Sequence, residues 1–131
     1  MAKLQWTKDL EVGVDDIDND HRITIDQLNK LSKTLDDHDF ITLFLAFADH
    51  LRSHFALEEG LMTKHLFFAI DCHTDEHKRV LDEIDGILKQ LEAGDTGTAR
   101  NYVDVEFPEW FMVHRATMDT VTARFLAQAI A

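Results

Sequence analysis

The chain has 131 residues, 45% of them hydrophobic, enough to bury a core, so a single domain spanning residues 1–131 is expected. Its 25 acidic residues outnumber 13 basic ones, giving a formal charge of -12. Such a surface repels phosphate backbones and anionic membranes, which puts nucleic-acid binding out of consideration. No stretch approaches the ~20 apolar residues of a membrane span, and the opening MAKLQWTKDLEVGV lacks the apolar run of a secretory leader; a soluble, cytoplasmic protein with no membrane insertion is expected.

One proline and five glycines leave too little punctuation for the many short segments of an all-β fold, so the fold class is read as all-α. Cys72 is the only cysteine. It rules out an internal disulfide and a multi-cysteine zinc site, and it is read as a small buried apolar residue.

In chain order, the first 17 residues carry Trp6, Leu10, Val12 and Val14 among acids and read as a non-helical arm laid over the helices. Next, His21, Leu28, Leu31 and Leu35 share one helical face, with Ile25 beside it. Beyond the acidic turn Asp36-Asp37-His38-Asp39, the residues Phe44, Phe47, Leu51, His54, Glu58 and Leu61 alternate in the three-and-four rhythm of a bundle seam. A break from Lys64 to Phe67 precedes a third stripe of Ile70, His73, His77, Val80, Ile84, Ile87 and Leu91. Gly94-Asp95-Thr96-Gly97 ends that helix and begins a fourth pattern of Val103, Phe107, Trp110 and His114, with a short helical extension at the C-terminus. Short connections make neighbours antiparallel, so the expected architecture is an up-down-up-down four-helix bundle. Pro108 lies inside the fourth pattern, where the helix must either restart or bend toward the interior.

Every apolar stripe carries histidine. Counting outward from each turn, His21 and His54 lie about 16 residues from the first connection, and the second and third connections fall midway between the remaining polar clusters. Antiparallel helices with tight turns bring equal offsets to equal height, so the polar clusters converge in one layer. His54 with Glu58, and His73 with His77, are each spaced to project from one face about 6 Å apart along the axis. His114 and Asp119 are five apart, a rotation of about 140° in a regular helix, so the helix must end or loosen between them if both are to reach the layer.

A single histidine on an apolar stripe is ordinarily a hydrogen-bonded core residue. Five at one height with a glutamate on the seam are a different case, because a buried carboxylate costs several kcal/mol unless a cation or proton sits beside it. A catalytic zinc takes about three protein ligands and a structural zinc about four, so seven candidates fit two ions better. Imidazole-rich ligation with carboxylate suits iron, whereas calcium or magnesium would call for oxygen throughout.

These residues, His21, His54-Phe-Ala-Leu-Glu58-Glu, His73-Thr-Asp-Glu-His77 and Trp110-Phe-Met-Val-His114 followed by Asp119, together resemble the ligand signature of hemerythrins and bacterial hemerythrins, from Gly13 to Asp119. The chain departs from the family's habit at Asp18-Asn19-Asp20 before His21 and at Arg115 after His114. The resemblance implies two non-haem irons, one held by His73, His77 and His114 and the other by His21 and His54, with Glu58 and Asp119 bridging both alongside an oxo or hydroxo group. Two six-coordinate ions offer about twelve positions, of which these groups fill all but one, on the two-histidine iron. The implied function is reversible dioxygen binding there as hydroperoxide, for storage, transport or delivery to an oxygen-consuming enzyme, with no enzymatic activity of its own; a monomer is the default expectation. Ile25, Leu28, Phe55 and Trp110 are the candidate walls of the oxygen pocket.

Two alternatives stand beside this reading. Diiron oxidases and iron-handling proteins of the ferritin-like sort draw on four Glu and two Glu-x-x-His motifs, a balance this chain lacks. An oxygen or redox sensor would use the same ligands. His38, His50 and His65 fall outside the signature and are read as surface or helix-end residues.

Overall fold

The computed structural model describes residues 4–130, among which there is no strand. Three long helices, α1 (Asp15–Lys33), α2 (Asp37–Lys64) and α3 (Ile70–Glu92), are followed by a fourth rod built in pieces. That rod comprises α4 (Gly97–Asn101), a π-helical turn over Tyr102–Glu106, α5 (Phe107–His114), a second π-helical turn over Arg115–Asp119, and α6 (Thr120–Ile130), which is the C-terminal extension. α1 packs on α2, α2 on α3 and α3 on α4, while the first π-turn returns to α1 and closes a four-helix bundle.

Local chemistry accounts for the ends. Asp15, Asp16 and Asp18 crowd the first turn of α1, and Lys30 and Lys33 its last, each sign set against the opposite pole of the helix dipole. Asp36 caps α2 by accepting the Asp39 amide at 2.9 Å. α2 and α3 close in the same way: the residue after the cap turns left-handed, and the next amide donates back into the last turn, Phe67 to Met62 and Asp95 to Gln90. In α3 the left-handed residue is Gly94, at φ 89°; in α2 it is Leu66, at φ 57°, where a side chain is strained.

The main core is apolar and aromatic. Phe40, Phe44 and Phe47 from α2 meet Phe107 and Phe111 from α5, with Leu28, Leu31, Ile84 and Leu91 around them. Ile17, Met62, Ala123 and Leu126 are equally buried but belong to no part of that cluster. Each lies beyond the ligand candidates along α1, α2 or the fourth rod, so a polar layer divides the apolar interior.

Several expectations need correction. The arm ends at Val14, because the acids after it open α1 and Ile17 is fully buried within that helix; a 3-10 turn over Lys8–Leu10 also interrupts it. Residues 1–3 of the expected arm lie outside the described residues. The arm is anchored by Asp18, which accepts the Val12 and Gly13 amides, and by Arg22 stacked over Trp6. Leu35 is 88% exposed, since α1 stops at Lys33 before the stripe can carry it inward. Leu61 and Ile70 are only half-buried, and Met62 takes the seam position instead. Cys72 is exposed: it precedes His73 by one residue, about 100° around the helix from the inward stripe.

Candidate metal centre

All seven residues singled out from the sequence are buried, and they meet. Glu58, His73, His77, His114 and Asp119 offer ligand atoms within 4.8 Å of one another, and so do His21, His54 and Glu58. Glu58 is common to both groups. Asp119 reaches across as well, with Oδ1 at 3.0 Å from both His73 Nε2 and His114 Nε2 and Oδ2 at 3.1 Å from His21 Nε2. Glu58 Oε1 lies 3.2 Å from His77 Nε2 and 3.4 Å from His54 Nε2.

Two regular spacings and one irregular one create this convergence. α2 and α3 place their pairs four residues apart on one face. The fourth rod does so over five, because Arg115–Asp119 forms a π-helical turn whose wider repeat restores Asp119 to the face of His114. The loosening required by the sequence is therefore a π-turn, secured by the Thr120 hydroxyl donating to the Arg115 carbonyl at 2.8 Å. Pro108 is absorbed likewise. It comes directly after the first π-turn, in the opening turn of α5, where its missing N–H matters least.

The layer's polar atoms fit a metal. His21 Nδ1 and Nε2, Glu58 Oε1 and Oε2, His77 Nε2 and Asp119 Oδ1 are buried with no hydrogen-bond partner among the described residues. Some stand close to one another without forming a hydrogen bond, as His21 Nε2 does to Asp119 Oδ2 and His77 Nε2 to Glu58 Oε1. His73 Nε2 and His114 Nε2 approach to 3.1 Å. Metal–imidazole bonds of about 2.1 Å set right-angled neighbours about 3.0 Å apart, which matches.

Partners behind the imidazoles fix which nitrogen faces inward. With Nδ1 protonated, His54 donates to Asp20 at 3.0 Å, His77 to Glu59 at 3.0 Å and His73 to Thr122 at 2.7 Å, leaving each Nε2 free. Asp20, Glu59 and Thr122 were not singled out in the sequence because they lie beside the seams; Glu59, next to Glu58, reaches back to His77. His50 also departs from its surface or helix-end reading. It is mid-helix and half-buried, with Nε2 3.1 Å from the Asp20 carbonyl and 3.1 Å from Thr24 Oγ1, so it ties α2 to α1. His38 is exposed in the first turn of α2, and His65 is the residue after its end.

Without metal, the carboxylates divide their proton unequally. Burial, then the neighbouring Asp119, push Glu58 up to about 8. Burial acts in the same direction on Asp119, but the His114, His21 and His73 imidazoles, each with a ring nitrogen 3.0 or 3.1 Å from its oxygens, outweigh it and hold Asp119 well below the usual carboxylate range. Burial, with His73 next, brings His77 down to about 3. A bound cation would supply the positive charge that the buried Glu58 lacks and would take the neutral form of His77 as a ligand.

Aromatic rings seal the layer. Phe55 stacks on His77 with centroids 4.0 Å apart, and Trp110 stacks on His114 at 4.4 Å while its Nε1 donates to Glu76. Trp110 therefore lines the three-histidine side, while Phe55 also lies 5.8 Å from the His54 ring and spans both. On the other side Phe111 meets His21 edge-on at 5.2 Å, with Ile25 and Leu28 buried further along α1. Nothing in the sequence distinguished Phe111 from ordinary core.

A four-helix bundle with a buried layer of histidines and bridging-capable carboxylates defines a helical metal-binding domain. The sequence matches the hemerythrin HHE cation binding domain over residues 12–126, and the chain belongs to the hemerythrin family. It is 32% identical over 128 residues to the bacteriohemerythrin of Ralstonia nicotianae, covering 98% of this chain and 92% of that protein. It is 30% identical over 98 residues to the bacteriohemerythrin of Stenotrophomonas maltophilia, covering 72% of this chain and 64% of that protein. Among solved structures, a wild-type hemerythrin superposes with a TM-score of 0.88 at 22% identity, covering 96% of this chain and 99% of that one; a hemerythrin carrying a leucine-to-tyrosine substitution gives 0.89 at 23%, covering 97% and 99%. At those identities the superpositions establish the fold.

Proposed function

We propose that this chain binds dioxygen reversibly at a pair of non-haem irons, as a carrier or store rather than as an enzyme. The observation that carries the reading is the uneven donor set around shared carboxylates: His73, His77 and His114 on one side, His21 and His54 on the other, with Glu58 and Asp119 between. The ions would be held by these seven residues, with an oxo or hydroxo bridge. A diferrous pair can lend two electrons to dioxygen and recover them on release, and the two-histidine side is where a coordination position would remain open.

The chain's own residues supply the other requirements. Asp20, Glu59 and Thr122 hold three imidazoles with Nε2 inward, so the donors need no rearrangement to receive the ions. Phe55, Trp110 and Phe111 shield the layer from water, which would otherwise supply protons that make oxygen reduction irreversible. Ile25 and Leu28 extend that dry wall beyond His21 and are the proposed lining of the oxygen pocket. Among the described residues no helix is long and apolar enough to cross a membrane. The proposed setting is the cytoplasm, where a monomer could deliver oxygen to an oxygen-consuming enzyme.

The test is to load the protein anaerobically with ferrous iron, admit oxygen, and then remove it. Absorption bands that rise and fall over repeated cycles, with about one oxygen per two irons, support the carrier reading. One irreversible oxidation with release of peroxide would instead identify an oxidase.

A further inference from the structure

A cavity of about 530 Å³ opens on the surface where the start of α3 faces the second π-turn and α6. Its walls include Phe67, Met118 and Val121, and its floor is the His73–Thr122 pair, whose 2.7 Å hydrogen bond orients an imidazole of the metal layer. Cys72 lies exposed at its side. The volume is that of a small-molecule site. From Phe67 the apolar surface continues outward through Phe68 and Phe125, whose rings lie 4.8 and 5.2 Å from it, and Phe68 is 78% exposed.

The charge around this cavity is unlike the rest of the molecule. The chain carries 25 acidic residues, yet none lines the cavity, and among the described residues its one formal charge is Arg124. Arg124 makes no ion pair or hydrogen bond among the described residues, whereas Arg22, Arg52, Arg79 and Arg100 are paired with acids; Arg115, whose side chain is also unpaired, does not line the cavity. A cation left unpaired beside an apolar hollow, on a protein that elsewhere repels anions, complements a ligand with one negative charge and an apolar tail.

We propose that this cavity binds a medium-chain fatty acid, its chain along Phe67, Met118 and Val121 and its carboxylate on Arg124. The occupant rests on Thr122, one hydrogen bond from the metal layer. The site does not depend on which reaction that layer supports.

The iron-loaded protein is titrated with decanoate while alkylation of Cys72 by iodoacetamide is followed, with decanol as the uncharged probe and acetate as the tailless one. Expected is saturable protection of Cys72 by decanoate with a dissociation constant below about 1 mM, weaker protection by decanol and none by acetate. Arg124→Glu should weaken decanoate roughly fivefold and leave decanol unchanged. Val121→Trp, which fills the cavity, should abolish protection by both, with iron content as the check on folding. Decanoate failing to protect at several times that concentration would overturn the proposal. So would equal binding of decanoate and decanol with no effect of Arg124→Glu.

Discussion

α2 and the fourth rod deliver the same product, an imidazole and a carboxylate side by side in the interior, by opposite routes. α2 does so in an unbroken helix, with His54 and Glu58 four residues apart. The fourth rod spaces His114 and Asp119 by five and takes up the extra residue in a π-helical turn. The facing of side chains, rather than the helical register, is what the site requires; one residue can be added wherever the backbone can widen to receive it.

The sharpest way to break the pairing is to remove one carboxylate from each route. Glu58→Leu and Asp119→Leu should each abolish paired metal binding, measured as iron per chain after anaerobic loading. Their metal-free stabilities should diverge. Glu58, with both oxygens unpartnered, is a burden, so its loss should stabilise the metal-free fold by about 1–3 kcal/mol in urea melts. Asp119 is held by histidines, so its loss should destabilise by a similar amount.

Register changes sharpen the contrast further. Inserting one alanine after Ala56 imposes a five-residue spacing on a helix with no widened turn, and should cost metal and stability together. Deleting Ala116 leaves His114 and Asp119 four apart, the spacing α2 already uses, so both irons should be retained; loss of iron on that deletion would mean the π-turn does more than restore facing.

Acidity tests the electrostatic side of the layer. Unfolded His77 takes up a proton below its ordinary 6.5, while the buried ring resists to about 3, so metal-free stability falls as the pH drops through that interval. Glu58 acts oppositely: unfolded, it ionises above 4.5, but buried it keeps its proton to about 8, so stability is lost as the pH rises across that range. Melts of the metal-free chain should therefore peak between the ordinary values 4.5 and 6.5, and iron, by displacing the Glu58 proton, should move the optimum upward.

The smallest effect compares the two helix ends with the same closing motif. Leu66→Gly should stabilise by about 1 kcal/mol, and Gly94→Leu should destabilise by about 1–2 kcal/mol, in thermal or urea unfolding.

Most of this architecture was legible because burial imposes a period on the sequence. The seams through Phe44 to Glu58 and His73 to Leu91 needed only counting, and the awkward interval from His114 to Asp119 announced an irregular helix before its form was known. Legibility failed where geometry depends on a neighbour. Leu35 continues a stripe that its helix does not, and Cys72 is apolar in type but off the stripe. Asp20, Glu59 and Thr122 support ligands from beside the seams, where an acid or hydroxyl resembles any solvated side chain. Ile25 could be placed beside the first stripe and Phe111 fell outside the fourth, but which iron they would face depends on how the helices wind.

The most direct test of the central claim is the iron capacity of the layer. Anaerobic titration of the metal-free protein with ferrous iron, followed by metal analysis after desalting, should saturate at two irons per chain if each of the two overlapping ligand groups takes one ion, as proposed. Saturation at one iron per chain, or binding that survives replacement of Glu58, would contradict it.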